Sequence, residues 1–202
     1  MRFWEKLFNK TKEDPMKYLV VGLGNPGEKY EDTRHNIGFR VIEGFANSKK
    51  ESFSDTKLGQ TTVVKHKGRK IVLLKPSTFM NLSGKAVNYY MQKEKIPLER
   101  VLIITDDIAL PFGKLRMKTK GSDGGHNGLK HIAATLNTTK YARLRFGVGD
   151  EFNKGQQVDY VLGKWGPEEK EKLTERIEMC FNFIQDFTTI GPAQTMSNWN
   201  NK

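Results

Sequence analysis

One cysteine in 202 residues, Cys180, excludes an internal disulfide and leaves no cysteine framework for a structural zinc. No apolar run approaches the roughly 18 residues that a membrane-spanning helix requires. The first 15 residues lack the apolar stretch of a signal peptide, and their three acids and one arginine argue against a mitochondrial transit peptide. The sequence contains no H-x-x-x-H, no H-E-x-x-H and no G-x-S-x-G. A catalytic zinc and a serine nucleophile are therefore not signalled, and no cofactor is expected. Acids are also scarce: 23 Asp and Glu stand against 34 Lys and Arg, a net charge of +11. That imbalance predicts a soluble, cytoplasmic protein with a polyanionic partner, nucleic acid first among the candidates.

What is present suffices for one ordinary domain with a small appendage: the chain is 37% hydrophobic and 10% aromatic. The charge is uneven. Residues 110–150 carry eight basic and two acidic side chains, whereas residues 151–202 carry six and eight. The basic patch therefore centres on Lys114, Arg116, Lys118, Lys120, Lys130, Lys140, Arg143 and Arg145, and the acidic C-terminal quarter is expected to face away from the partner. Alternation in Lys114-Leu115-Arg116-Met117-Lys118 predicts a strand with its cations on one face.

Residues 1–15 read as a flexible extension in which Phe3, Trp4, Leu7 and Phe8 share a helical face, and residues 16–202 as the domain proper. Short apolar runs predict buried strands at Tyr18–Gly22 and Val101–Thr105. Thr61–His66 and Lys70–Lys75 flank Lys67-Gly68-Arg69 as a hairpin, and Leu115–Lys118 and Arg143–Val148 add two strands. Helices are predicted over 36–47, 83–95, 129–136 and 167–190. The last buries Leu173, Ile177, Cys180, Phe181, Ile184 and Phe187 and ends at Gly191-Pro192. Strands alternating with helices predict an α/β fold with a mostly parallel or mixed sheet.

Five segments carry candidate chemistry. Gly22-Leu23-Gly24-Asn25-Pro26-Gly27 follows a strand and fits the G-x-G-x-x-G dinucleotide fingerprint. Pro26, the charged stretch after Gly27 and the lack of a second strand ending in an acid argue against nicotinamide binding. The better reading is a turn that presents Asn25 at a strand end. Tyr30-x-x-Thr33-Arg34-His35-Asn36-x-Gly38 sets a His-Asn pair at a helix entry, where packing alone asks for no histidine. Phe79-Met80-Asn81 places an apolar wall beside an amide, and Ser83 could cap the helix that follows. Asp106, at the tip of a buried strand, needs a partner, and an imidazole would serve. Gly121–Gly128, with His126 and Asn127, is a loop whose backbone amides can hold anions. One His, one Asp and several Asn suit water activation and the hydrolysis of an activated ester.

GLGNPG, Y-x-x-T-R-H-N-x-G, P-x-T-F-M-N-x-S-G, D-D-x-x-L-P and G-G-H-N-G-L-K stand in the order and spacing of the bacterial peptidyl-tRNA hydrolases. The resemblance runs from Met16 to about Gly191. It implies a single three-layer α/β/α domain with a mixed, mostly parallel central sheet. It also implies a metal-free monomeric enzyme that cleaves the ester between peptide and tRNA and so recycles tRNA. In that pattern His35 corresponds to the catalytic base and Asp106 to the acid that orients it. Asn25, Asn81 and Asn127 correspond to substrate-holding amides, Met80 and His126 to pocket walls, and Tyr30 to a pocket aromatic. Lys118 and Arg145 correspond to cations on the tRNA phosphates. Ala109 replaces an acid common in the family's D-D-L-D-L-P. The alternative is a non-catalytic RNA-binding module, which leaves His35, Asp106 and the asparagines without a role.

Overall fold

The computed structural model describes residues 13–200 and 202. The helical face expected over Phe3–Phe8 lies outside these residues. Asp14, which the sequence assigns to the extension, is held against the domain: its carboxylate pairs with Lys70 at 3.2 Å and its carbonyl accepts from Arg100 at 3.0 Å.

Seven strands form one sheet in the order β2-β3-β4-β1-β5-β7-β6. They are β1 (Lys17–Gly22), β2 (Ser54–Thr56), β3 (Gly59–His66), β4 (Arg69–Pro76), β5 (Val101–Asp107), β6 (Leu115–Lys118) and β7 (Ala142–Gly147). The four central strands β4, β1, β5 and β7 are parallel. Antiparallel strands flank them on both sides. The hairpin turn at Lys67-Gly68 has positive φ at both residues, 44° and 79°, which suits a two-residue loop between twisted strands.

Alternation along the strands divides the core in two. Val20, Leu102, Ile104, Leu144 and Phe146 pack with helices α1 (Ile37–Ser48) and α5 (Pro167–Thr189). Leu19, Val21, Val101 and Ile103 pack with α2 (Ser83–Glu94) and α3 (Asn127–Leu136) on the other face. The result is the expected three-layer α/β/α arrangement. Each fully buried aliphatic side chain contributes about 1.5–3 kcal/mol over leaving it in water.

Two short helices escape the sequence reading: α4 (Gln157–Leu162) and α6 (Pro192–Trp199). Helix α6 alters the buried stripe of α5. Phe183 is fully buried, 6.2 Å from the Trp199 ring, while Phe181 is only partly buried against Phe45. At the sheet edge, the Asn200 amide accepts from Met117 N–H at 2.7 Å and donates to its carbonyl at 3.0 Å, covering the outer side of β6.

Gly22 and Gly38 set the site's geometry. A methyl on Gly22 would lie 2.1 Å from the Gly38 carbonyl oxygen, and one on Gly38 would lie 2.4 Å from Leu23 N and 2.7 Å from Ile104 O. Backbone therefore rests on backbone where β1 ends and α1 begins, which draws residues 34–36 over the tips of β1 and β5. Gly38→Ala is expected to destabilise the fold by about 1–3 kcal/mol or more, because the obstacles are main chain and cannot rotate away. An unchanged melting temperature would refute that close approach.

Candidate active site

A 3-10 turn at Arg34–Asn36 precedes α1. Three residues per turn send consecutive side chains about 120° apart. Arg34 turns outward to α4 and α5, His35 reaches β5, and Asn36 reaches the loop after β1. His35 Nδ1 lies 2.9 and 3.0 Å from the two Asp106 carboxylate oxygens. Asp106 is 3% exposed at the C-terminal end of β5. The partner that its position demanded is thus present, and the acid sits in the strand itself rather than in the loop beyond.

His126 does more than line a wall. It is the N-cap of α3, and its Nδ1 accepts from Gly128 N–H and Leu129 N–H at 3.1 and 3.3 Å. The ring proton therefore sits on Nε2, which lies 3.0 Å from Asp106 Oδ1 and 2.8 Å from Thr105 Oγ1. A carboxylate accepts only, so His35 also presents N–H to Asp106 from Nδ1. His35 Nε2 is left with its lone pair and no partner among the described residues. His35, Asp106 and His126 form a cluster of three potential metal ligands within 4.8 Å. Their spacing is that of hydrogen bonds to one carboxylate.

Burial disfavours the His35 imidazolium, but the charge and hydrogen bond of Asp106 outweigh it, and its pKa rises above the ordinary 6.5. Burial alone would raise Asp106. The two imidazoles override it and hold the carboxyl well below the usual range.

Asn25 is 8% exposed and pinned by Asn36, which the sequence sets beside His35 without indicating this role. Asn36 Oδ1 accepts from Asn25 N–H at 2.8 Å, and its Nδ2 donates to Asn25 O at 2.9 Å. Asn25 Oδ1 in turn accepts from Met80 N–H at 2.8 Å, which leaves the Asn25 NH₂ as the group available to a ligand. Asn25, His35, Met80, Asn81, Asp106, His126 and Asn127 all line one cavity of about 940 Å³. Tyr30, expected as a pocket aromatic, does not line this cavity; its ring stands edge-on to Phe79, which does, at 6.4 Å. Helix α4 contributes Val158, Val161 and Leu162 to the same cavity. Six residues are too few to show a helical period, so no sequence signal could have found it.

Ser83 does not cap α2. It is the first helical residue, fully buried, and donates to the Met80 carbonyl at 2.8 Å. The free Gly84 N–H at that helix end goes to His131 Nδ1 at 2.9 Å.

Lys118 and Arg145 lie outside the cavity. Across the β6–β7 pair, Arg116 opposes Arg145 and Lys118 opposes Arg143. Leu115, Met117, Leu144 and Phe146 point to the α5 side, so the four cations share the other face, as the alternation predicted. Arg143 departs from the expected patch. It is 2% exposed, donates to the Ser122 and Thr139 carbonyls, and stacks on Tyr141. It supports the glycine-rich loop from below instead of facing solvent. Asp107, which lines the cavity, holds the Nε edge of Arg145.

Fold and site together define a hydrolase built on a three-layer α/β/α domain, with an imidazole on a buried carboxylate at the C-terminal end of a parallel strand, beside the backbone-fixed amide of Asn25. Residues 19–202 match the family of peptidyl-tRNA hydrolases. The chain is 56% identical over 187 residues to the peptidyl-tRNA hydrolase of Phocaeicola vulgatus and 57% to that of Bacteroides fragilis, covering 93% of this chain and all of each relative. The crystal structure of peptidyl-tRNA hydrolase from Acinetobacter baumannii is similar, with 32% identity, a TM-score of 0.85, and coverage of 91% of this chain and 94% of that one. The chain belongs to the peptidyl-tRNA hydrolase family.

Proposed function

We propose that the protein hydrolyses the ester joining a peptide to the terminal ribose of tRNA, with His35 Nε2 as the general base. Water gives its proton to Nε2 as its oxygen adds to the ester carbonyl. Asp106 holds the ring in the Nδ1–H tautomer and stabilises the imidazolium. Amide N–H groups of Asn25 and Asn127 stand where the oxyanion develops, and Asn81 holds the peptide backbone. Collapse breaks the bond to the ribose oxygen, which recovers the proton from His35. Free tRNA and peptide leave, and the tRNA returns to translation. The observation that carries this reading is the lone pair of His35 Nε2, unpartnered among the described residues, on the wall of a cavity ringed by three asparagines. No helix among the described residues is long and apolar enough to cross a membrane.

The test is peptide release from an N-acylated aminoacyl-tRNA. Release with turnover supports the scheme, whereas tRNA binding without release would favour the RNA-binding alternative. Lys118 and Arg145 hold tRNA phosphates in this scheme. Asp107 engages the Arg145 Nε edge, which leaves the two terminal nitrogens for a phosphate. Lys118→Ala and Arg145→Ala should each weaken tRNA binding and lower the slope of log affinity against log salt by about one unit, with little effect on single-turnover rate. A slope equal to the wild type's in both variants would remove them from the phosphate contacts.

A further inference from the structure

Arg34 precedes the proposed base, yet its charge is not offered to substrate. Its Nε and Nη2 form a fork with the Glu169 carboxylate at 3.2 and 2.7 Å. Its Nη1 donates to the Lys164 carbonyl at 2.9 Å and to the Tyr160 carbonyl at 3.4 Å. The guanidinium stacks over the Tyr160 ring, 4.4 Å from its centroid. The main chain repeats the connection: Arg34 N–H donates to Gly163 O at 3.1 Å, and Thr33 forms an antiparallel bridge with Lys164. Glu169 also accepts from Gly166 N–H at 2.6 Å, so the same carboxylate closes the first turn of α5. Every nitrogen of the guanidinium is used, and the side chain is only 13% exposed.

These partners belong to the segment that ends α4 and starts α5, and α4 forms a wall of the cavity that His35 also lines. The geometry points to Arg34 as a positioning residue that fixes the α4 wall relative to the catalytic imidazole. The acyl-tRNA end is thereby held at attacking distance between them. The inference rests on the proposed hydrolysis. One short turn serves both sides of the cavity, because Arg34 grips the wall while His35 grips Asp106. A displacement of the wall by one ångström would misplace the ester, and misplacement on that scale costs about 10²-fold in rate. Lysine cannot substitute. A single ammonium offers no planar fork for Glu169 and no flat face for Tyr160.

The experiment compares wild type, Arg34→Ala and Arg34→Lys in single-turnover cleavage of an N-acylated aminoacyl-tRNA, alongside tRNA affinity across salt. Wild-type cleavage in the same assay checks the underlying reading first, so its failure and the failure of this inference are distinguishable. Arg34→Ala should lose about tenfold to a hundredfold in rate with unchanged affinity and salt slope. Arg34→Lys should be similarly impaired. Millimolar guanidinium should restore part of the Arg34→Ala rate, and equimolar sodium chloride should not. Wild-type rates in Arg34→Lys, a loss of affinity in place of rate, or no guanidinium rescue would each overturn the assignment. Should Arg34→Ala fail to fold, Glu169→Gln provides the same reading: a lower rate at unchanged affinity supports it, and an unchanged rate overturns it.

Discussion

Replacing His35 with alanine is expected to lower the single-turnover rate of ester cleavage by about 10²–10⁴, the usual contribution of a positioned general base. Binding of tRNA should survive, since the proposed phosphate contacts lie on β6 and β7, outside the cavity. The residual rate comes from the asparagine amides, of which Asn25 is held in place by Asn36 and Met80 without help from the imidazole. A His35→Ala rate equal to wild type would remove this residue from the chemistry. In wild type the reactive form is the neutral ring. Asp106 raises the pKa of His35 above its ordinary 6.5, so kcat/KM should increase with pH through a value above 6.5.

Asp106→Asn should be nearly as damaging, about 10³–10⁴ in rate, although it alters a single atom type in a buried side chain. The carboxylate receives N–H from two imidazoles, one from each side. An amide has one acceptor and one donor. With its oxygen on the fixed Nε2–H of His126, its NH₂ faces His35 Nδ1 and forces the ring into the Nε2–H tautomer. The lone pair then points at the amide and the cavity loses its base. The two substitutions act through one group, so their losses should not add, and additive losses would argue against a shared unit. The pH profile gives a second reading. Removing the carboxylate leaves burial as the main influence on His35, and burial lowers its pKa. Activity that remains through the minor Nδ1–H tautomer should therefore have its acid limb at lower pH, and an unmoved limb would contradict the pairing.

The parts legible in the sequence are those where one physical requirement dominates. Val20, Val21 and Ile103 stand in runs too apolar and too short to be anything but buried strands. Asp106 could be singled out because an acid at such a strand's tip must find a cation or a donor. Other features depend on partners distant in the chain. Phe181 and Phe183 are equally apolar, and Phe183 is the one enclosed, with Trp199 of α6 among its neighbours. Arg143 reads as one more surface cation until the glycine-rich loop is seen to cover it. Asn36 pins Asn25 through backbone contacts that no spacing rule describes, and α4 is tied to Arg34 by a bond to the Tyr160 carbonyl from 126 residues away in the chain.

The order of strands in the sheet has a consequence for how the protein is made. β1 leaves the ribosome first, yet it occupies the centre, with Leu19 beside Val72 on one side and Val101 on the other. Both neighbours are translated later, and β7 later still. Until Val101–Asp107 has emerged, β1 keeps an open, apolar edge, and His35 has no carboxylate to meet. Nascent chains paused before that point therefore expose the surface most prone to unintended pairing. For a peptidyl-tRNA hydrolase, its own synthesis is thus most vulnerable to interruption before Val101–Asp107 has emerged.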